Sequence, residues 1–391
     1  MAAFSGKTLQ ILQSLRTLES TRKKSAHVTD AAFCLQLQDE DGTVIAEKAC
    51  LNGVPDALQE LFSPLDQLLD TDFADRYAEE PKPLKMQQSS PTVHAETLAA
   101  LALDYPDGVY TDTFPGRERE HERLTGRGYI NNMLCPRCMG NMSLFGINRI
   151  IMPDTVLDKG WAGHRRPYVD LSLTIARAGG IGLCMIDEGT GVPSEKPNAV
   201  TFEAGIGKDH FENFELHEVP HSDVEAMSLI RAHNRKNPVF NPLCAYACGI
   251  RLRRCKETVF ALCTQTLAPG ITPDIYKRNY AGRETKYSLV TPPVTSLLML
   301  ARRYGYRFED KTLYSSAVPV MRDMINAAAA GLTGFVFDPG MESRHFLTLL
   351  EQNKDHVRQA THSTNGQAYT VYSQYAALHN IRKVMEFVVV N

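Results

Sequence analysis

Cys135-Pro-Arg-Cys-Met-Gly-Asn-Met-Ser-Leu-Phe-Gly-Ile-Asn-Arg-Ile-Ile-Met152 decides the fold, because the chain writes its pattern a second time. The second version is Val320-Met-Arg-Asp-Met-Ile-Asn-Ala-Ala-Ala-Ala-Gly-Leu-Thr-Gly-Phe-Val-Phe337. Met139 matches Met324, Asn141 matches Asn326, and Gly146 matches Gly331. Each version reads as a helix closed by a C-terminal glycine and followed by an apolar strand, since glycine accepts the left-handed conformation that ends helices. Upstream, Val109-Tyr-Thr-Asp-Thr-Phe-Pro115 aligns with Leu313-Tyr-Ser-Ser-Ala-Val-Pro319, placing Tyr110 on Tyr314 and Pro115 on Pro319. Both read as a short strand and a turn.

Further out, alternating residues in Ala31–Gln38 and Thr43–Cys50 flank Asp39-Glu-Asp-Gly42, a hairpin signal. Ala245–Arg253 and Thr258–Thr266 flank Arg254-Cys-Lys-Glu257 in the same way. An amphipathic helix precedes each hairpin (Thr8–Leu18; Asp223–Asn234), and another helix follows, after Pro91 or after Pro292-Pro293. Beyond Arg149–Met152, a helical run over Val169–Ala178 leads to the apolar run Ile181–Asp187. A strand, crossover helix and strand favour parallel pairing. The expectation is an α/β fold: two tandem three-layer α/β/α domains with mixed sheets, over residues 1–205 and 215–391.

A chain of 391 residues is long enough for two such units. Its 43% hydrophobic and 22% charged composition is that of a globular protein and excludes disorder, collagen and coiled coil. A net charge of −3 excludes a uniformly basic polyanion-binding surface and leaves only a local one. Met1–Lys7 carries no secretory pattern, and no apolar run approaches the roughly 20 residues that cross a bilayer. Nine scattered cysteines, an odd number, argue against a disulfide framework. A cytoplasmic protein without a membrane partner is expected, with thiols available for metal.

The chemistry centres on His94, Glu96, Cys135 and Cys138. His94 and the cysteine pair open two helices, whose positive dipole ends favour thiolates. Zn2+ takes imidazole nitrogen and thiolate sulfur in a tetrahedral site, and three protein ligands leave one position open. His94, Cys135 and Cys138 are the candidate metal ligands. Glu96, two residues beyond His94, is the candidate catalytic residue, placed to move protons without binding the metal. A purely structural zinc site would normally bring a fourth protein ligand.

His94-Ala-Glu96 with Cys135-x-x-Cys138 resembles the zinc-dependent cytidine deaminase-like superfamily. Tyr110-Thr-Asp-Thr113 before Pro115, and Cys-Pro-x-Cys-Met-Gly-Asn-Met, are similar to its tRNA adenosine deaminase and guanine deaminase branch. The likeness spans about residues 25–190, and the second copy resembles the same family through about 240–340. It implies a zinc-dependent hydrolytic deaminase of an adenine, cytosine or guanine type base, with backbone near Thr111–Thr113 lining the pocket. The substrate is then a base in RNA or tRNA, or else a free base, nucleoside or small heterocycle. A non-catalytic zinc-containing binding protein is the reading from another class. Family habit also implies a dimer, either between chains or internally between the two copies.

Two departures stand out. Leu134 occupies the position where the family has proline, and Gly116–Leu134 reads as an Arg-rich insertion beside the pocket. In the second copy, alignment by shared elements puts Pro293 at the His94 position and Thr295 at the Glu96 position, with Val320 and Asp323 replacing the cysteines. That copy is expected to be pseudo-catalytic. His217-Glu-Val-Pro-His221 is rejected as a metalloprotease helix, because Pro220 would break it and Ser222-Asp-Val-Glu225 reads as a capping box. Cys244, Cys248, Cys255 and Cys263 read as structural thiols of the second hairpin. Arg165-Arg166, Arg251–Arg254 and Arg302-Arg303 read as phosphate contacts or as solvated faces.

Overall fold

The computed structural model describes residues 6–20, 31–53, 94–104, 106, 124–157, 166–197, 199–205, 211–241, 244–273, 276, 289–338 and 386–389. The first run of elements is α1 (Gly6–Ser20), β1 (Ala32–Gln38), β2 (Val44–Leu51), α2 (Ala95–Ala102), β3 (Thr125–Ile130), α3 (Pro136–Phe145), β4 (Ile147–Pro153), α4 (Arg166–Ala178), β5 (Gly182–Ile186) and β6 (Thr201–Phe202). Their strands form one sheet in the order β2-β1-β3-β4-β5-β6. β1 is antiparallel to β2 and β3, β3–β4–β5 run parallel, and β6 closes the edge antiparallel.

The second run is β7 (Phe214–His217), α5 (Asp223–Lys236), β8 (Cys248–Arg254), β9 (Glu257–Cys263), β10 (Thr266–Leu267), β11 (Val290–Thr291), α6 (Pro293–Arg303), β12 (Arg307–Phe308), β13 (Thr312–Ser315), α7 (Met321–Ala329), β14 (Gly334–Phe337) and β15 (Glu386–Val389). The second sheet runs β15-β14-β13-β8-β9-β7, with β12 also on β8, while β10 and β11 pair separately. Within it, β9-β8-β13-β14-β15 has the order and the pairing senses of β2-β1-β3-β4-β5. The fold is therefore α/β with mixed sheets, and both sequence hairpins form where alternation placed them.

Period-two alternation explains the layers. Ala32 and Cys34 face Leu12 and Leu15 of α1, whereas Phe33 and Leu35 join the core beneath α2 and α3. In the second sheet Phe260 and Leu262 meet Met227 and Ile230 of α5, and Val259 and Ala261 turn to the opposite core. The inner helix layers meet each other: α6 packs on α2 and α3, and α7 on α2, within one continuous apolar core. Among the described residues no helix is long and apolar enough to cross a membrane.

One expectation is corrected. Residues 109–115 lie outside the described residues, and the strand beside β1 and β4 is Thr125–Ile130, within the stretch read as an insertion. Tyr129 pairs with Cys34 and Ile151 as Tyr314 pairs with Gly249 and Val336, so Tyr129 holds the place expected of Tyr110. Thr-Gly-Arg-Gly-Tyr-Ile hides its nature because two glycines weaken the strand signal. Gly128 is required there: a Cβ would lie 2.6 Å from the Phe33 ring.

Candidate metal centre

Two helix starts build the centre. His94 is the extended residue before α2 (φ −67°, ψ 147°), and its side chain makes no cap, which leaves the imidazole for other work. The end of α2 is served instead by Asn52, whose Oδ1 accepts the Ala95 N–H at 2.6 Å. At α3, Pro136 stands at the first turn, where a missing N–H costs nothing. Cys135 precedes it, and its Sγ accepts the Cys138 N–H at 3.4 Å.

His94 Nδ1 lies 3.6 Å from Cys135 Sγ and 3.2 Å from Cys138 Sγ. A tetrahedral ion with the usual zinc bond lengths would hold N and S about 3.6 Å apart. All three donor atoms lie within 4.8 Å of one another, so the group could hold a metal ion; it is the only such group among the described residues. Glu96 is 2% exposed, and its Oε2 has no hydrogen-bond partner among the described residues. Burial raises its pKa, though the His94 charge pulls the other way.

Electrostatics separates the two thiols. The Cys138 hydrogen bond and the His94 charge hold the Cys135 thiol well below its ordinary range, against burial. Burial, and then Cys135, raise Cys138. Burial opposes the His94 imidazolium, but the Cys135 charge and hydrogen bond outweigh it and raise His94 to about 9. Metal binding takes these groups as thiolate and neutral imidazole, so it would displace any proton they carry.

The second sheet's helices show what stands in the corresponding place. Asn141 Nδ2 donates to Thr97 Oγ1 at 3.0 Å, and Asn326 Nδ2 donates to Thr295 Oγ1 at 2.7 Å. Thr295 therefore corresponds to Thr97, Val294 to Glu96 and Pro292 to His94, one residue earlier than the sequence alignment had it. Pro292-Pro293 offers no capping side chain that could have fixed that register. Asp323 does stand where Cys138 stands. Its carboxylate accepts from the N–H groups of Val294 (2.8 Å) and Thr295 (2.9 Å), and from the hydroxyls of Thr295 (2.6 Å) and Tyr246 (2.6 Å). Asn52 and Tyr246 carried no recognisable sequence signal, whereas the matched Asn141 and Asn326 did.

The remaining sequence candidates fall elsewhere. His217 ends β7 and hydrogen-bonds Glu215 at 3.0 Å, and no helix runs from it to His221. Ser222 Oγ caps α5 by accepting the Glu225 N–H, and the Glu225 carboxylate accepts the N–H of His221, one residue before the cap, a shifted form of the expected capping box. Arg302 donates to the Leu101 and Leu103 carbonyls, Arg303 to that of Ser143, and Arg254 lies over Tyr306, so these three serve internal contacts. Arg251 pairs with Asp310. Cys244, Cys248 and Cys263 are buried thiols, as expected. Thr111–Thr113, Arg165 and the charged residues 117–123 lie outside the described residues. No family model matches the chain, and no curated protein matches it.

Proposed function

We propose that the chain is a zinc-dependent hydrolytic deaminase of a nucleobase, with His94, Cys135 and Cys138 as zinc ligands and Glu96 as its proton carrier. The observation that carries this reading is a buried carboxylate with an unpartnered oxygen, beside a three-donor group that leaves a tetrahedral position open. Bound zinc would supply the Lewis acidity that activates water toward the amine-bearing ring carbon. Glu96 takes one proton from that water and passes it to the ring nitrogen, then takes the second from the hydroxyl added to the ring carbon and delivers it to the departing amine. Water is consumed, ammonia leaves, and the amidine becomes an amide. A carboxylate buried beside the metal group, with one oxygen free among the described residues, suits a group that must both accept and release a proton.

The resemblance to the tRNA adenosine deaminase branch supports a base in RNA or tRNA. Commitment of Arg254, Arg302 and Arg303 to internal contacts supports the second reading, a free base, nucleoside or small heterocycle. The second sheet and its helices serve as a pseudo-catalytic half, forming an internal pseudo-dimer with the first. The test is ammonia release from adenine, guanine, cytosine, their nucleosides, single-stranded RNA and DNA, and tRNA, together with zinc content. Release should occur with one substrate class and fall at least roughly 100-fold in Glu96→Ala. Zinc-free protein, or release unchanged by Glu96→Ala, overturns the proposal; zinc without release on any substrate favours a binding protein.

A further inference from the structure

Thr291 sits on β11, held by its pairing with Thr266 and by the Ser296 hydroxyl on its carbonyl. Its own hydroxyl donates to Asn141 Oδ1 at 3.2 Å, across the contact between the two helix layers. Asn141 in turn donates to Thr97, the residue after Glu96 in the first turn of α2. Thr291, Asn141 and Thr97 are all buried. The elements lie close here: a Cβ built on Gly140 would meet Ala268 Cβ at 3.5 Å and Thr291 Oγ1 at 3.9 Å, ordinary contact distances.

The link runs one way. Asn326 holds Thr295 as Asn141 holds Thr97, yet Asn326 Oδ1 has no partner among the described residues. Thr291 stands four residues before Thr295, and the residue four before Thr97 is Val93, which has no hydroxyl to offer. Among the described residues, only the helix that begins at His94 and carries Glu96 receives this threonine–asparagine bond across the layers.

We propose that Thr291 is a positioning residue for α2, fixing the first turn and the direction of Glu96 through Asn141 and Thr97. Its effect on turnover rests on the deaminase reading; its effect on the helix does not. A buried asparagine oxygen stripped of its donor seeks another partner, and the turn it anchors loses its fixed register. In the full chain, Thr291→Val keeps the shape and removes the donor, whereas Thr291→Ser keeps the donor. Hydrogen exchange of the α2 amides should accelerate roughly tenfold in Thr291→Val and stay near wild type in Thr291→Ser. With a turned-over substrate, kcat should fall roughly fivefold in Thr291→Val at little-changed KM. Faster exchange confined to residues 289–303, with α2 unchanged, overturns the proposal, as does equal behaviour of the two variants. Absence of ammonia release from the wild type would count against the deaminase reading alone, since exchange still decides the relay.

Discussion

Asp323→Ala removes the acceptor on which four donors converge, in a residue that is 0% exposed. Two of those donors are backbone N–H groups in the first turn of α6, which have no acceptor within their own helix. Losing such a cap costs about 1 kcal/mol, and each buried hydroxyl left without its acceptor costs about 1 kcal/mol more. Burial raises the Asp323 pKa, so the wild-type carboxylate already bears a desolvation cost whose removal offsets part of the loss. The expected net destabilisation is about 2–3 kcal/mol, and Asp323→Asn, which keeps one acceptor oxygen, should lose about half as much. Tyr246→Phe should cost about 1 kcal/mol in the wild-type background and much less beside Asp323→Ala, because its partner is already gone. Urea unfolding of the four proteins provides the cycle. An Asp323→Ala change under about 0.5 kcal/mol, or strictly additive effects, would refute the view that this carboxylate organises the helix start.

On the proposed zinc reading, Cys138→Ser should lose zinc at a chelator concentration the wild type withstands, measured by elemental analysis after dialysis; equal retention would remove Cys138 from the proposed ligand set. Gly128→Ala should lower stability by about 1–3 kcal/mol, read from thermal unfolding, because the new methyl meets the Phe33 ring at 2.6 Å. Acidification should destabilise the chain through the cluster around β7. Burial lowers the His233 pKa from its ordinary 6.5, despite the Asn213 carbonyl and Glu215. Burial raises Glu215, but His217, His233 and Lys236 together leave it below 4.5. For both groups the unfolded chain binds more protons, so the stability they contribute is present above these ordinary values and lost as pH falls through the folded ones. His233→Gln should flatten the fall in melting temperature between about pH 7 and 5; an unchanged slope would exclude His233 as its source.

The hairpins and the group that could hold a metal ion were legible in the sequence for different physical reasons. Alternation in Ala31–Gln38 sorts the side chains onto the strand's two faces, both of them buried, and the short loop states the register. His94, Cys135 and Cys138 were legible because helix starts and ligand spacing are local properties. The third strand was not, because Gly128 answers to the Phe33 ring on a neighbouring strand, and no local pattern carries that demand. The match of Pro293 to His94 failed by one residue because two prolines give a helix start without a side-chain cap. The inward turn of Arg302 and Arg303 was illegible for the same reason as Gly128: their partners lie about 160 to 201 residues away.

The grip of Arg302 on the Leu101 and Leu103 carbonyls means that the far end of the helix carrying His94 is fastened from outside its own sheet. On the proposed deaminase reading, a screen for inactive variants should therefore gather hits around residue 302 that keep His94, Glu96, Cys135 and Cys138. Such alleles would look like scaffold defects by position and like active-site defects by phenotype. Separating the halves as independent fragments should likewise silence the first one, although it contains all the chemistry proposed for the chain.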